Sequence, residues 1–180
     1  MRTNNNAAYM VDLGMAGCMG QIQKPGSDRV IVARNLWADP HLHAVLFGTL
    51  ATGIALWWWL PTGFAEPVTS DPWRLLGFLI LYPILEEWLF RGILQGELLR
   101  HAWGRVRRLG LSHANLLTSV IFMLFHLVHH PWYWALAVIV PSLVLGYFRE
   151  RYAGLWMPMV LHGLFNLAFL LAGLGWGGVL

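Results

Sequence analysis

The sequence predicts an all-α protein, a polytopic bundle of about five to six transmembrane helices with its active site inside the membrane. Of the 180 residues, 57% are hydrophobic and only 12% are charged, whereas soluble domains carry about 25% charged residues. Apolar segments long enough to approach or cross a bilayer recur along the chain, and the connections between them alternate between those with Lys or Arg and those without. These observations together indicate an integral membrane protein.

The first residues of the chain differ from the rest. They are polar and Gly-rich and include Asp12, so we predict a polar N-terminal cytoplasmic tail over residues 1–40 and a transmembrane domain over residues 41–180. The single cysteine, Cys18, excludes an intrachain disulfide. The net charge of +3 comes from basic residues in the connections. We therefore expect the lipid bilayer as a partner and no nucleic acid.

Five apolar segments follow the tail, and each is predicted to be a helix. The predicted segments are residues 43–60, 73–99, 116–128, 132–148 and 155–174. The third is short compared with the roughly 20 residues that cross a bilayer. Tryptophans lie near the ends of most segments, as they do in the aromatic belts of membrane proteins.

The basic residues predict one orientation. They are Lys24, Arg29 and Arg34 in the tail, Arg100, Arg105, Arg107 and Arg108 after the second segment, and Arg149 and Arg151 after the fourth. Residues 61–72 and 129–133, which form the alternate connections, contain no Lys or Arg. The positive-inside rule then places the N-terminus in the cytoplasm and the C-terminus outside.

Ionisable residues interrupt the second segment, which contains the stretch YPILEEWLFRGILQGELL over residues 82–99. Glu87 and Arg91 are four residues apart, so they share a helix face and are predicted to form an ion pair. Glu86 is turned about 100° away and lacks that partner. A charge in the hydrocarbon core costs several kcal/mol, so a surplus acid indicates a functional residue, whereas Glu87 and Arg91 are expected to be structural.

Two further segments carry polar residues that could meet Glu86. His126 follows Phe122 by four residues in FMLFH, and His162 precedes Asn166 by four in HGLFN. Because lipid offers no hydrogen bonds, such side chains are expected to turn toward one another. A carboxylate with an imidazole can activate water, and a His–Asn pair can donate to a developing oxyanion. The combination favours peptide hydrolysis.

These stretches resemble the motifs of one family of intramembrane proteases. EEWLFRG matches EExxxR, FMLFH matches FxxxH and HGLFN matches HxxxN of the CAAX protease and bacteriocin-processing family, also called CPBP or ABI. The resemblance implies a glutamic-type peptidase without a cofactor, acting on a membrane-associated protein or peptide. It also implies that Glu86 and His126 activate the water and that His162 and Asn166 bind the oxyanion.

The resemblance further implies that Glu87 and Arg91 hold the helix and orient its neighbours. Residues 125–129 also satisfy FxxxH, but the small polar residues before Phe122 favour His126, which leaves His129 and His130 at the outer rim. The short chain is similar to compact bacterial members, some of which process C-terminal sorting signals. A bacterial cell membrane is therefore the expected location.

Several alternatives remain at this point. Glu86, His126 and His162 could instead ligate zinc, although the chain contains no HExxH. Intramembrane Glu and His also occur in proton relays, so a proton-coupled transporter or a non-catalytic bacteriocin-immunity scaffold is a second class of function. The geometry separates them, because hydrolysis needs the polar groups around one site and a relay needs them along the membrane normal.

Overall fold

The computed structural model of the protein describes residues 38–59 and 66–174. The predicted tail over residues 1–40 lies outside this part of the chain except for its last three residues. The boundary predicted between tail and transmembrane domain therefore stays a prediction.

Nine α-helices occur in the described part of the chain, together with two π-helices and a two-stranded hairpin. They are α1 (Pro40–Trp59), α2 (Glu66–Thr69), α3 (Pro72–Leu76), the π-helix π1 (Gly77–Leu81), α4 (Tyr82–Glu87), the π-helix π2 (Trp88–Leu94), α5 (Gln95–Leu98), β1 (Arg107–Arg108), β2 (Leu111–Ser112), α6 (His113–His126), α7 (Trp132–Ala137), α8 (Ile139–Arg151) and α9 (Trp156–Leu174). The elements from α3 to α5 form one uninterrupted helical run over residues 72–98, which we call the glutamate helix.

Local signals in the sequence explain where several helices begin. The Asp71 side chain accepts a hydrogen bond from the Trp73 N–H and Pro72 follows it, which together start the glutamate helix. The Ser112 hydroxyl accepts from the Asn115 N–H and starts α6. Pro141 has no N–H to donate to the carbonyl four residues earlier, and this missing hydrogen bond accounts for the division between α7 and α8 at Val138.

The helices agree in position with the five predicted segments. Within residues 38–59 and 66–174, three helical runs are long and apolar enough to cross a membrane, over Pro40–Trp58, Trp132–Arg151 and Trp156–Leu174. The helix His113–His126 is shorter, and the glutamate helix carries the ionisable residues. The described chain is thus a mainly helical membrane protein, and the count of five to six spans stays a prediction.

The distribution of polar and apolar side chains is the reverse of that in a soluble protein. Large apolar side chains on the glutamate helix, such as Leu81, Leu85 and Trp88, are exposed. The buried polar residues of the described chain are Asp39, Glu87, Arg91, Gln95, Ser112, Asn115, Thr118, Ser119, Ser142 and His162. A surface of this kind suits contact with lipid. Most of the buried polar side chains pair with other polar groups inside the bundle, whereas the Thr118 hydroxyl has no hydrogen-bond partner among the described residues.

The bundle is organised around α8 and α9. Helix α9 packs against α1, α4, π1 and α8, and α6 packs against α8 and π2. Between α8 and α9, Leu145, Phe148, Met157 and Leu161 form a buried apolar cluster. This packing brings α9, with its HxxxN residues, directly onto the part of the glutamate helix that carries the acids.

The two basic connections that the structure describes lie together at one end of the bundle, whereas Lys24, Arg29 and Arg34 lie outside the described residues. Asp39, just before α1, accepts hydrogen bonds from Arg151 at 2.6 and 2.8 Å and from the Tyr152 hydroxyl at 2.6 Å. Arg107 of the hairpin lies 2.6 Å from Glu150. The orientation prediction requires this clustering. That this end faces the cytoplasm stays a prediction.

Candidate active site

Glu87 lies at the centre of the polar interior and contacts two partners. Its Oε2 atom is 3.2 Å from the Arg91 Nε atom, and neither side chain is exposed. Its Oε1 atom is 2.9 Å from the His162 Nδ1 atom. The ion pair predicted from the four-residue spacing is therefore present. The contact with His162 was not predicted, and it links the glutamate helix to α9.

Arg91 joins three parts of the bundle. One of its terminal nitrogens, Nη2, donates to the Ser142 hydroxyl at 2.7 Å and to the Ser142 carbonyl at 3.0 Å. Its guanidinium also lies 4.8 Å from the centre of the Phe122 ring, a distance at which a cation is attracted to the ring face. Ser142 thus acts as the partner of a buried cation, a role that no motif around it in the sequence indicates.

Glu86 is half-buried and faces α9. Its Oε2 atom lies 3.7 Å from the His162 Nε2 atom. The surplus acid of the glutamate helix therefore has a partner from another span. A single proton, held by either Glu86 or His162, makes the group of Glu86, Glu87, Arg91 and His162 electrically neutral.

The two nitrogens of His162 have different surroundings. Nδ1 is hydrogen-bonded to the Glu87 carboxylate, which accepts only, so the Nδ1 position carries a proton. Nε2 faces Glu86. Glu87 thereby fixes the ring orientation, as a carboxylate does for a catalytic imidazole, and leaves Nε2 as the end available for chemistry.

Asn166 lies one turn beyond His162 on the same face of α9. Its side-chain nitrogen donates to the main-chain carbonyl of Phe78 at 2.8 Å. Between them, Gly163 allows α9 to approach π1 closely, because a Cβ atom at this position would lie 2.9 Å from the Leu79 carbonyl oxygen. The HxxxN residues thus meet both α4 and π1.

His126 belongs to the same region but is held differently. Its Nδ1 atom is 2.9 Å from the Phe122 carbonyl, which leaves Nε2 as the acceptor of a neutral ring. The ring stacks on His130 at 5.8 Å. Within residues 38–59 and 66–174, no hydrogen bond or ion pair joins His126 to Glu86. The structure thus brings Glu86, Glu87 and His162 into contact, and it does not bring His126 into direct contact with the acids.

The two possible registers of the FxxxH motif differ in burial. Phe122 is 3% exposed, whereas Phe125 is 52% exposed. Phe122 packs edge-to-face on Phe90 with ring centres 4.9 Å apart, and His129 is exposed. The register through Phe122 and His126 therefore faces the polar interior, and the register through His129 does not.

A second polar cluster at the basic end of the bundle was missed by sequence reasoning. Glu150 accepts hydrogen bonds from Gln95 at 2.9 Å, from Ser112 and from Arg107. It ties α5, the hairpin and the start of α6 to the end of α8. From the sequence, the neighbouring Arg149 and Arg151 predict only the orientation of the chain in the membrane, because charges at a helix end are normally solvated.

The zinc alternative requires Glu86, His126 and His162 around one point, and it stays a hypothesis. Among the described residues, no group of three or more His, Cys, Asp or Glu side chains is placed to hold a metal ion. The Nδ1 atoms of His162 and His126 are hydrogen-bonded to Glu87 and to the Phe122 carbonyl, as in many metal-ligating histidines, so the Nε2 atom of each ring remains available. A zinc site needs three or four such atoms at about 2.0–2.3 Å from one point.

Comparison with known families identifies the chain. Residues 67–168, more than half of the chain, match the model of the family described as "Type II CAAX prenyl endopeptidase Rce1-like". No curated protein and no solved structure matches the chain. The match covers the glutamate helix, α6, α8 and the part of α9 that carries His162 and Asn166. The resemblance seen in the three motifs is therefore confirmed, and the chain belongs to the Rce1-like family of type II CAAX prenyl endopeptidases.

Proposed function

We propose that the protein is an intramembrane endopeptidase that hydrolyses a peptide bond in a membrane-associated protein or peptide. The family indicates processing of the CAAX type, and the short chain leaves C-terminal sorting signals as a second substrate class. The observation that carries the proposal is the contact between Glu86 and the Nε2 atom of His162, beside the buried Glu87–Arg91 pair.

In this proposal Glu86 is the general base. It takes a proton from water, the resulting hydroxide attacks the peptide carbonyl, and Glu86 returns the proton to the leaving amine. A half-buried carboxylate without an arginine of its own suits this role. His126, whose Nε2 atom is the acceptor when Nδ1 bonds Phe122, is proposed as the second group that orients the water.

His162 and Asn166 are proposed to stabilise the oxyanion. For His162 to donate from Nε2, its ring must carry both protons, and the carboxylates of Glu86 and Glu87 on its two sides stabilise that charge. Asn166 has two N–H groups, of which one donates to Phe78 and the other remains for the substrate. Donors held in advance at this position contribute strongly to acyl-transfer catalysis.

The arrangement supports hydrolysis over proton transport. Glu86 and Glu87 are adjacent on one helix turn and both face the same histidine. A relay would place its groups at successive depths along the membrane normal. Contacts gathered at one level of the bundle favour a single reaction site.

The proposal is tested with the Glu86→Gln variant reconstituted in liposomes. The substrate is a prenylated peptide ending in a CAAX sequence or a membrane-anchored sorting-signal reporter, and cleavage is followed by mass spectrometry. We expect the rate to fall at least about 100-fold, the usual contribution of a general base. The matched control is Glu97→Gln, since Glu97 is exposed and pairs only with Arg100, and it should cleave at the wild-type rate.

A strong chelator is applied to the wild-type protein in the same assay. We expect the activity to survive, because in the proposed mechanism Glu86 activates the water without a metal ion. Activity that disappears with the chelator and returns with zinc would replace the glutamate mechanism by the metal-dependent one. A Glu86→Gln variant that cleaves within a few-fold of wild type would refute the role of Glu86.

A further inference from the structure

The π-helix π1 leaves one carbonyl without its regular partner. In π1 the hydrogen bonds span five residues, and the Tyr82 N–H donates to the Gly77 carbonyl. The next bond of this pattern would run from residue 83 to the carbonyl of Phe78. Residue 83 is a proline, which has no N–H. The Phe78 carbonyl therefore lacks the backbone donor that would continue the series.

Asn166 donates to this same carbonyl at 2.8 Å. An interior carbonyl of a regular helix is already bonded along its own helix, so without a backbone donor the Phe78 oxygen is a stronger and less crowded acceptor for the Asn166 carboxamide. A buried carbonyl without a donor is costly, and the carboxamide of Asn166 removes that cost. The Phe78 carbonyl of π1 and the Asn166 amide of α9 therefore each gain a hydrogen-bond partner where the two helices meet.

The close approach of α9 supports the same reading. Gly163 lies over the Leu79 carbonyl, and any side chain there would be only 2.9 Å from that oxygen. Two successive carbonyls of π1, those of Phe78 and Leu79, thus face α9. The contact of Asn166 with Phe78 is part of a packed surface and is not an isolated side-chain bond.

We propose that Pro83 is a positioning residue for Asn166. Because it has no N–H, it leaves the Phe78 carbonyl free to hold one N–H of the Asn166 carboxamide, which fixes the plane of the amide and the direction of its second N–H. The catalytic importance of this direction rests on the proposed function, in which the second N–H donates to the oxyanion. The contact itself does not depend on that function.

The test compares two substitutions that differ in one atom group. Pro83→Ala supplies an N–H, whereas replacement of residue 83 by lactic acid through nonsense suppression gives a backbone ester with the same methyl group and no N–H. The Asn166 side-chain amide is observed by NMR in micelles after selective labelling of asparagine with ¹⁵N, and its resonances are assigned by their loss in Asn166→Ala. Cleavage of the liposome substrate gives kcat and KM.

We expect Pro83→Ala to shift the Asn166 amide resonances. We also expect it to lower kcat about tenfold and to change KM less than about twofold, because a donor that acts mainly in the transition state affects kcat. The ester variant should keep the wild-type resonances and a kcat within about threefold of wild type. A loss of kcat in both variants with unchanged resonances would overturn the proposal, as it would indicate that the proline ring matters for folding alone.

The two readouts separate this inference from the proposed function. Shifted resonances in Pro83→Ala with an unchanged kcat would support the role of Pro83 in holding Asn166, and would refute the oxyanion role of Asn166. Unchanged resonances and unchanged kcat in Pro83→Ala would overturn the inference and leave the mechanism at Glu86 intact.

Discussion

The two adjacent glutamates are expected to respond oppositely to the same substitution. Glu87 is fully buried and contacts both Arg91 and His162, whereas Glu86 is half-buried and contacts His162 at 3.7 Å. We predict that Glu87→Gln destabilises the protein strongly. Glu86→Gln should leave stability nearly unchanged and abolish cleavage.

The magnitude follows from the geometry. Gln can still accept the hydrogen bond from the His162 Nδ1–H, so the main loss is the charge opposite Arg91. At 3.2 Å and an effective dielectric constant of about 20, the attraction is about 5 kcal/mol. Removal of one partner from a buried pair costs about 3–5 kcal/mol. For Glu86, a long and partly exposed pair contributes about 0–1 kcal/mol.

The assay is reversible unfolding of the purified protein in mixed micelles, with a double-mutant cycle built from Glu87→Gln and Arg91→Met. The double variant no longer carries an unpaired buried charge. Its unfolding free energy should therefore exceed the additive expectation by about 3 kcal/mol. If the two single effects add within about 0.5 kcal/mol, or if Glu86→Gln is the more damaging of the two, the charge-pairing argument is wrong.

Two further predictions concern packing and pH. Gly146→Ala should destabilise the protein by about 1–3 kcal/mol, because its Cβ would collide with the side chain of Asn115. The control Gly48→Ala, where nothing lies within 4 Å of the added Cβ, should be neutral or stabilising by up to about 1 kcal/mol. Equal shifts of the melting temperature in the two variants would contradict the packing argument. The hydrogen bond from Arg151 lowers the pKa of Asp39, so the stabilisation is complete above the unfolded pKa of about 4 and decreases as the pH falls below it. Thermal unfolding between pH 3 and pH 7 should show this decrease in the wild type and a much weaker one in Asp39→Asn, and parallel curves would refute the assignment.

Helix positions and the pairing of Glu87 with Arg91 could be predicted from the sequence because they depend on local features. Apolar runs fix the segments, and a four-residue spacing fixes the pair. The meeting of Glu86 with His162 also followed, since polar side chains within apolar helices were expected to turn toward one another. These predictions need only composition, spacing and the rise of a helix.

The partners that were missed depend on side-chain direction across helices. The bond of Glu87 to His162, the bond of Arg91 to Ser142 and the cluster around Glu150 need the rotation of each helix about its axis. The π-helices alter that rotation along the glutamate helix, and hydrophobic periodicity does not encode them. For the same reason, residue spacing could not show that His126 makes no direct contact with Glu86.

The charge balance of the site gives a reason for retaining two acids where one arginine is present. One proton, on Glu86 or on His162, balances the charge of the cluster, and both carboxylates contact the His162 ring that lies between them. In the proposed reaction, negative charge passes from Glu86 to the oxyanion while His162 stays beside both. The displaced charge therefore moves only a few ångströms, and the total charge of the cluster does not change. In a low-dielectric interior, where separated charges are costly, this short displacement of charge supports the proposed hydrolysis.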